Sequence, residues 1–188
     1  GEWIANEDGT ITRDVTKKCT YCGYEENGKE YQVKLIYDAN GGAGTINSTT
    51  GAAGESVNVA ENVFTRNNYT FTGWNTQADG KGTAYKPGDS FTLTDKDTVL
   101  YAQWNKLVTV SFDLCGHGGA NIPSQTFVSG NKASEPTAPK EDGWVFGGWY
   151  TEKGCQYRFS FDSAVTSDIT LYAKWEAAPR YYYNSGTT

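Results

Sequence analysis

The chain has 188 residues, 14% of them aromatic and 20% charged, with 22 Gly, 5 Pro, 4 Cys, no Met and a net charge of −6. An acidic balance argues against a nucleic-acid partner, which calls for a concentrated basic face, and no run of about 18 apolar residues is present to cross a membrane. The lack of Met, together with a start at Gly1, leads to the expectation of a piece of a longer protein, with any signal peptide and surface anchor outside it.

Abundant Gly, Thr, Val and aromatics predict short strands joined by tight turns, with little helix. Residues 1–30 form a small polar segment with turn signals at Glu7-Asp8-Gly9 and Glu26-Asn27-Gly28 around a short exposed strand, Thr10 to Val15. A hairpin module is expected there. After it the chain says nearly the same thing twice. Tyr69-Thr-Phe-Thr-Gly-Trp74 and Leu100-Tyr-Ala-Gln-Trp104 return as Trp144-Val-Phe-Gly-Gly-Trp149 and Leu171-Tyr-Ala-Lys-Trp175. A repeat longer than a solenoid rung of roughly 20 to 50 residues reads as a duplicated small domain.

The first copy, residues 31–105, opens on Val33-Lys-Leu-Ile-Tyr37 and a Gly-Gly turn, and its segment Val57 to Val63 could hold a helical turn. The second, residues 106–176, opens on Val108 to Asp113, where Val108, Val110, Phe112 and Leu114 alternate with polar residues as in a half-buried strand. A strand through Thr126-Phe-Val128 follows, and then Pro136 and Pro139 force an extended crossing. In the closing strand Ile169, Leu171, Ala173 and Trp175 share the inward face, with Thr170, Tyr172 and Lys174 outward. The first copy repeats this with Leu100, Ala102 and Trp104 inward and Tyr101 outward. Only Asn105-Lys106 separates Trp104 from the next copy's first strand, so a fairly stiff rod is expected. Residues 177–188, with Tyr181, Tyr182 and Tyr183, read as a linker or the start of a further module.

Val108-Thr-Val-Ser-Phe-Asp113, the Gly-Gly turn, Pro136 to Pro139, Phe146-Gly-Gly-Trp-Tyr-Thr151 and Ile169 to Trp175 resemble the Listeria/Bacteroides surface repeat, also called the internalin-type B-repeat. The resemblance covers both copies and implies small β-grasp-like modules, mainly β in class (β-rich α+β), carried in tandem on secreted or wall-attached bacterial proteins. Gly1-Glu-Trp3 and Cys19-Thr-Tyr-Cys-Gly-Tyr24 resemble a short Trp/CxxCGY module of Firmicutes surface proteins.

Cys115 and Cys155 occur together in the second copy and are both missing from the first, which leads to the expectation of a disulfide between them, with two free buried thiols as the alternative. For Cys19 and Cys22 a local disulfide is expected, with an intermolecular or incomplete metal site and free thiols as alternatives. Cys and His within residues 1–30 do not complete a zinc shell. His117, the sole histidine, reads as an exposed turn residue rather than a catalytic base. Asp38 and Asp113 read as carboxylates bonding their own turns. No catalytic residue, cofactor or metal is expected. Trp144, Tyr101 and Tyr172 lie off the core face and are the candidate binding residues.

The expected function is a non-catalytic extracellular repeat region of a bacterial cell-surface or secreted protein. It would act as a monomeric stiff spacer and adhesion module, with host surface protein or glycan as partner. The alternative is a dedicated carbohydrate-binding module using exposed Trp and Tyr.

Overall fold

The computed structural model describes residues 1–7 and 10–179. These form two compact units that divide between Asn105 and Lys106. Every regular element among the described residues is a strand, so the fold is mainly β. The expected turn at Asp8 and Gly9 and the tyrosine-bearing tail lie outside the described residues.

The first unit holds β1 (Ile4–Ala5), β2 (Ile11–Lys18), β3 (Glu25–Asp38), β4 (Thr49–Ala52), β5 (Ser56–Asn58), β6 (Tyr69–Asn75), β7 (Ala84–Tyr85), β8 (Ser90–Thr92) and the start of β9 (Thr98–Asp113). The β2 strand pairs antiparallel with β1 and with the first half of β3. The hairpin turn therefore falls at Cys19 to Tyr24, not at Glu26-Asn27-Gly28, whose residues sit inside β3 opposite Lys17, Thr16 and Val15. The reason is local: Gly23 adopts a φ of 71°, a left-handed conformation that glycine takes without steric cost. It lets Cys19 N–H donate to Tyr24 O at 2.8 Å and Gly23 N–H to Cys19 O at 3.0 Å.

Beyond the hairpin, β3 pairs antiparallel with β4 and parallel with Thr98 to Tyr101 of β9. The β6 strand also pairs with β9, on one side, and with β7. Period-two alternation sends Val33, Leu35 and Tyr37 inward, where Leu35, Trp74, Leu100 and Ala102 have no exposed surface. Each such leucine contributes about 1.5–3 kcal/mol through burial. The rings of Tyr37, Phe64 and Phe71 meet Trp74 edge-on, with centroids 5.0, 5.9 and 5.1 Å away.

The helical turn that Val57 to Val63 could hold does not form: Val57 and Asn58 belong to β5, and residues 59–63 have no regular structure. Val57 lies opposite Phe91 of β8, and Val59 N–H continues outward to Asp89 O at 2.8 Å. A half-buried Val57 and a buried Val59 are better served by an extended chain, which also suits their branched side chains.

The second unit contains the rest of β9, then β10 (Gln125–Val128), β11 (Trp144–Tyr150) and β12 (Ile169–Ala177). Here β9 pairs parallel with β12 and antiparallel with β10, while β12 pairs antiparallel with β11. Val108, Val110, Trp149, Leu171 and Ala173 are buried as the alternation predicts. Residues 134–140, which include Pro136 and Pro139, cross without regular structure. The β11–β12 register shifts between Phe146 and Gly148. Gly148 has a φ of 109°, and a Cβ there would stand 2.9 Å from Arg158 Nε. The bulge thus leaves room for a guanidinium against the backbone.

Candidate functional site

The two copies differ in the turn after their first strand, where Asp38-Ala-Asn-Gly-Gly42 becomes Asp113-Leu-Cys-Gly-His-Gly-Gly119. Both turns begin alike. Asp38 Oδ1 accepts from Asn40 N–H at 2.7 Å, and Asp113 Oδ1 accepts from Cys115 N–H at 2.8 Å. Each is also closed by the copy's last tryptophan. Trp104 Nε1 donates to Ala39 O at 2.9 Å and Trp175 Nε1 to Leu114 O at 3.0 Å.

The extra residues of the second turn carry His117, which is not the exposed side chain the sequence suggests. Its ring packs on Trp144 at 4.3 Å and on Trp175 at 5.6 Å between centroids. Its Nδ1 lies 3.2 Å from Glu141 Oε2, an ion pair whenever the imidazole is protonated. The same carboxylate oxygen accepts from Gly118 N–H. That N–H chiefly, with His117 assisting against a desolvation that opposes them, holds the Glu141 carboxyl below its ordinary range. Glu141 escapes sequence reasoning because it stands 23 residues from Gly118. The one available signal was the lengthened turn itself.

Trp144 keeps 39% of its surface exposed and is thereby the open edge of this aromatic cluster. Tyr172 is half-buried, pairs in register with Tyr150, and has Lys153 Nζ 5.7 Å above its ring. Trp144 pairs with Ala177 at the other end of the same two strands, on the order of 15–20 Å from Tyr172 at about 3.3 Å per residue. The two therefore do not form one flat platform. Tyr101 belongs to the first unit, half-buried on β9 opposite Asp38.

A cavity of about 350 Å³ in the first unit is lined by Trp74, Asn75, Tyr85, Asp89 and Gln103 among others. Its polar side chains are engaged in holding their own loops. Asn75 Nδ2 donates to Gly80 O and Gly82 O at 3.1 and 3.2 Å, while its Oδ1 accepts from Gln77 N–H at 2.9 Å. Gln103 Nε2 donates to Tyr101 O at 3.2 Å, and Asp89 Oδ2 accepts from Lys86 N–H at 2.7 Å. That arrangement stabilises a loop and leaves few free groups for a ligand.

All four cysteines stand as free thiols, so the structure does not support the expected Cys115–Cys155 and Cys19–Cys22 disulfides. Cys115 Sγ faces Asp113 O at 3.8 Å and Cys155 Sγ faces Lys153 O at 3.6 Å, each turned to the carbonyl two residues before it. Both residues have positive φ, 55° and 52°. The two turns thus direct their sulfurs into local contacts rather than along a shared bond. Partial burial chiefly, then the Asp113 charge, raises the Cys115 thiol. Cys19 is lowered by its contact with the Cys22 side chain and by the N–H groups of Cys22 and Tyr21. Among the described residues no group of three or more His, Cys, Asp or Glu is placed to hold a metal ion.

A family model described as the Listeria–Bacteroides repeat domain matches residues 31–103 and 109–174. A protein of Evansella cellulosilytica named as a Gly-rich membrane protein is 38% identical over 123 residues, 64% of this chain and 14% of that protein. A second, named as a membrane protein of the same organism, is 37% identical over 87 residues, 45% of the chain and 13% of its own length. Internalin H of Listeria monocytogenes is 38% identical over 69 residues, 36% of the chain and 12% of that protein. The chain thus spans only 12 to 14% of the length of these relatives.

Proposed function

The chain belongs to the Listeria–Bacteroides repeat family, and from that premise we propose that it is a non-catalytic repeat region of a bacterial surface or secreted protein. Its work is to space and present a neighbouring part of the parent protein, with adhesive contacts to host protein or glycan. The observation that carries the reading is the repetition itself: two copies of one β module, each built on its own aromatic core. Between Trp104 and the second copy's first strand lie only Asn105 and Lys106, too few for free tumbling. The named membrane proteins and the internalin among the relatives support placement at the cell surface or outside it.

Small-angle scattering tests the spacer. The chain should show a well-defined distribution of interatomic distances, and inserting about ten Gly and Ser residues between Asn105 and Lys106 should broaden it and extend its largest distances. Identical profiles would mean that the native junction is already loose, and the spacer reading would fall.

A carbohydrate-binding module is the second reading, favoured by the open face of Trp144 beside His117. A glycan array run on wild type and Trp144→Ala decides it. Sugar binding lost with Trp144 would move the chain to that class, and silence from both proteins would leave the spacer.

A further inference from the structure

We propose that the Cys19–Cys22 turn is half of a soft-metal site, and that a second copy of this chain supplies the other half, so that one zinc-class ion joins two chains through four sulfurs. The turn has the form this requires. It reverses β2 into β3 over Cys19-Thr-Tyr-Cys-Gly23, with Cys19 N–H to Tyr24 O at 2.8 Å and Gly23 N–H to Cys19 O at 3.0 Å clamping its base. Cys22 N–H points at Cys19 Sγ from 3.4 Å. A main-chain donor aimed at sulfur favours the anion that ligates metal, and two cysteines three apart around a tight Gly turn close on one ion. Both thiols are exposed and free.

Two sulfurs leave a tetrahedral ion two ligands short. Among the described residues no third Cys, His, Asp or Glu is grouped with them. A second copy offers the missing pair in the same geometry, and a twofold arrangement satisfies both chains at once. The surface around the thiols suits such a contact. Tyr21 is fully exposed and Tyr24 is 69% exposed, two large rings at a hairpin tip. Tyrosine is enriched where protein surfaces meet. Binding is an acid–base step without redox change: the divalent ion displaces four thiol protons to solvent and leaves a tetrathiolate of net charge −2.

The full chain, reduced and freed of metal, is titrated with Co²⁺ and then Zn²⁺ while absorption and sedimentation are followed. The proposal expects the intense visible bands of tetrahedral sulfur-ligated Co²⁺, saturation at one ion per two chains, and a doubled mass that returns to monomer on chelation. Cys19→Ser and Cys22→Ser should each abolish bands and dimer, whereas a Cys115→Ser/Cys155→Ser protein should keep both. Circular dichroism on each variant checks that it remains folded, as expected for changes at an exposed tip. One ion per chain without a change in mass would overturn the proposal. So would absence of sulfur-ligated bands, bands retained by Cys19→Ser, or a Cys19–Cys22 disulfide that persists in place of metal when the chain is purified in zinc without reductant.

Discussion

Trp74 and Trp149 hold the same place in the two copies, each buried beneath its sheet, yet their indole N–H groups are treated differently. Trp74 Nε1 donates to Ala60 O at 3.1 Å, and Tyr37 Oη accepts from Ala60 N–H at 2.9 Å, so one residue of the crossing segment is held at both its polar groups. In the second copy Phe112 stands where Tyr37 does and brings no hydroxyl, and Trp149 Nε1 finds no partner among the described residues. A net hydrogen bond is worth about 1 kcal/mol. Trp74→Phe should therefore cost about 1 kcal/mol more than Trp149→Phe in denaturant unfolding, after the loss of ring volume common to both. Equal losses would show that the Ala60 bond adds nothing. The pairing of Trp74 with Trp149 was legible from the Gly-Trp repeat. The contrast in their partners was not, because Ala60 lies 14 residues from Trp74 and no local pattern marks it as an acceptor.

Among the elements, the Gly-rich turn of the second copy is two residues longer than its counterpart. Its conformation depends on Glu141, whose carboxylate receives Gly118 N–H and faces His117. These contacts lower the Glu141 carboxyl in the folded chain. A carboxylate depressed by folding contributes stability that is complete above its unfolded pKa of about 4.3 and is lost as pH falls through the lower folded value. The wild-type chain should thus exceed Glu141→Gln in stability near neutral pH, and the gap should narrow as pH falls below the ordinary carboxylate range, read from tryptophan fluorescence during unfolding. A gap that stays constant across that range would remove Glu141 from the account. The strands themselves were readable from period-two alternation, as in Ile169, Leu171, Ala173 and Trp175. The N-terminal hairpin turn was misplaced because Glu26-Asn27-Gly28 looks like a turn in isolation. Pairing with β2 and the positive φ of Gly23 put the reversal at the cysteines instead.

At the scale of the whole molecule the chain carries two separate cores, one around Leu35, Trp74 and Leu100 and the other around Val110, Trp149 and Leu171. Small modules bury modest cores, so a single methylene-rich side chain matters to each. Leu100→Ala and Leu171→Ala should each cost about 2–5 kcal/mol, and each should lower only its own unit's melting transition in calorimetry. If either substitution moved both transitions together, the cores would not be energetically separate. This division also locates the candidate functions. Open aromatic surface at Trp144 belongs to the second unit, and the paired thiols of Cys19 and Cys22 belong to the first.

The sequence by itself determined that the chain is a tandem of two β modules of a recognisable repeat family, because alternation, Gly turns and repeated tryptophans are short-range patterns that survive without coordinates. It also marked the cysteines, Trp144, Tyr101 and Tyr172 as residues to watch. Only the tertiary structure decided what those residues face. Cys115 and Cys155 bond to carbonyls of their own turns rather than to each other, His117 lies between two tryptophans and a distant carboxylate, and Trp144 and Tyr172 stand at opposite ends of one strand pair. Such outcomes depend on contacts between residues far apart in the chain and on the direction of individual side chains, which residue spacing alone does not specify.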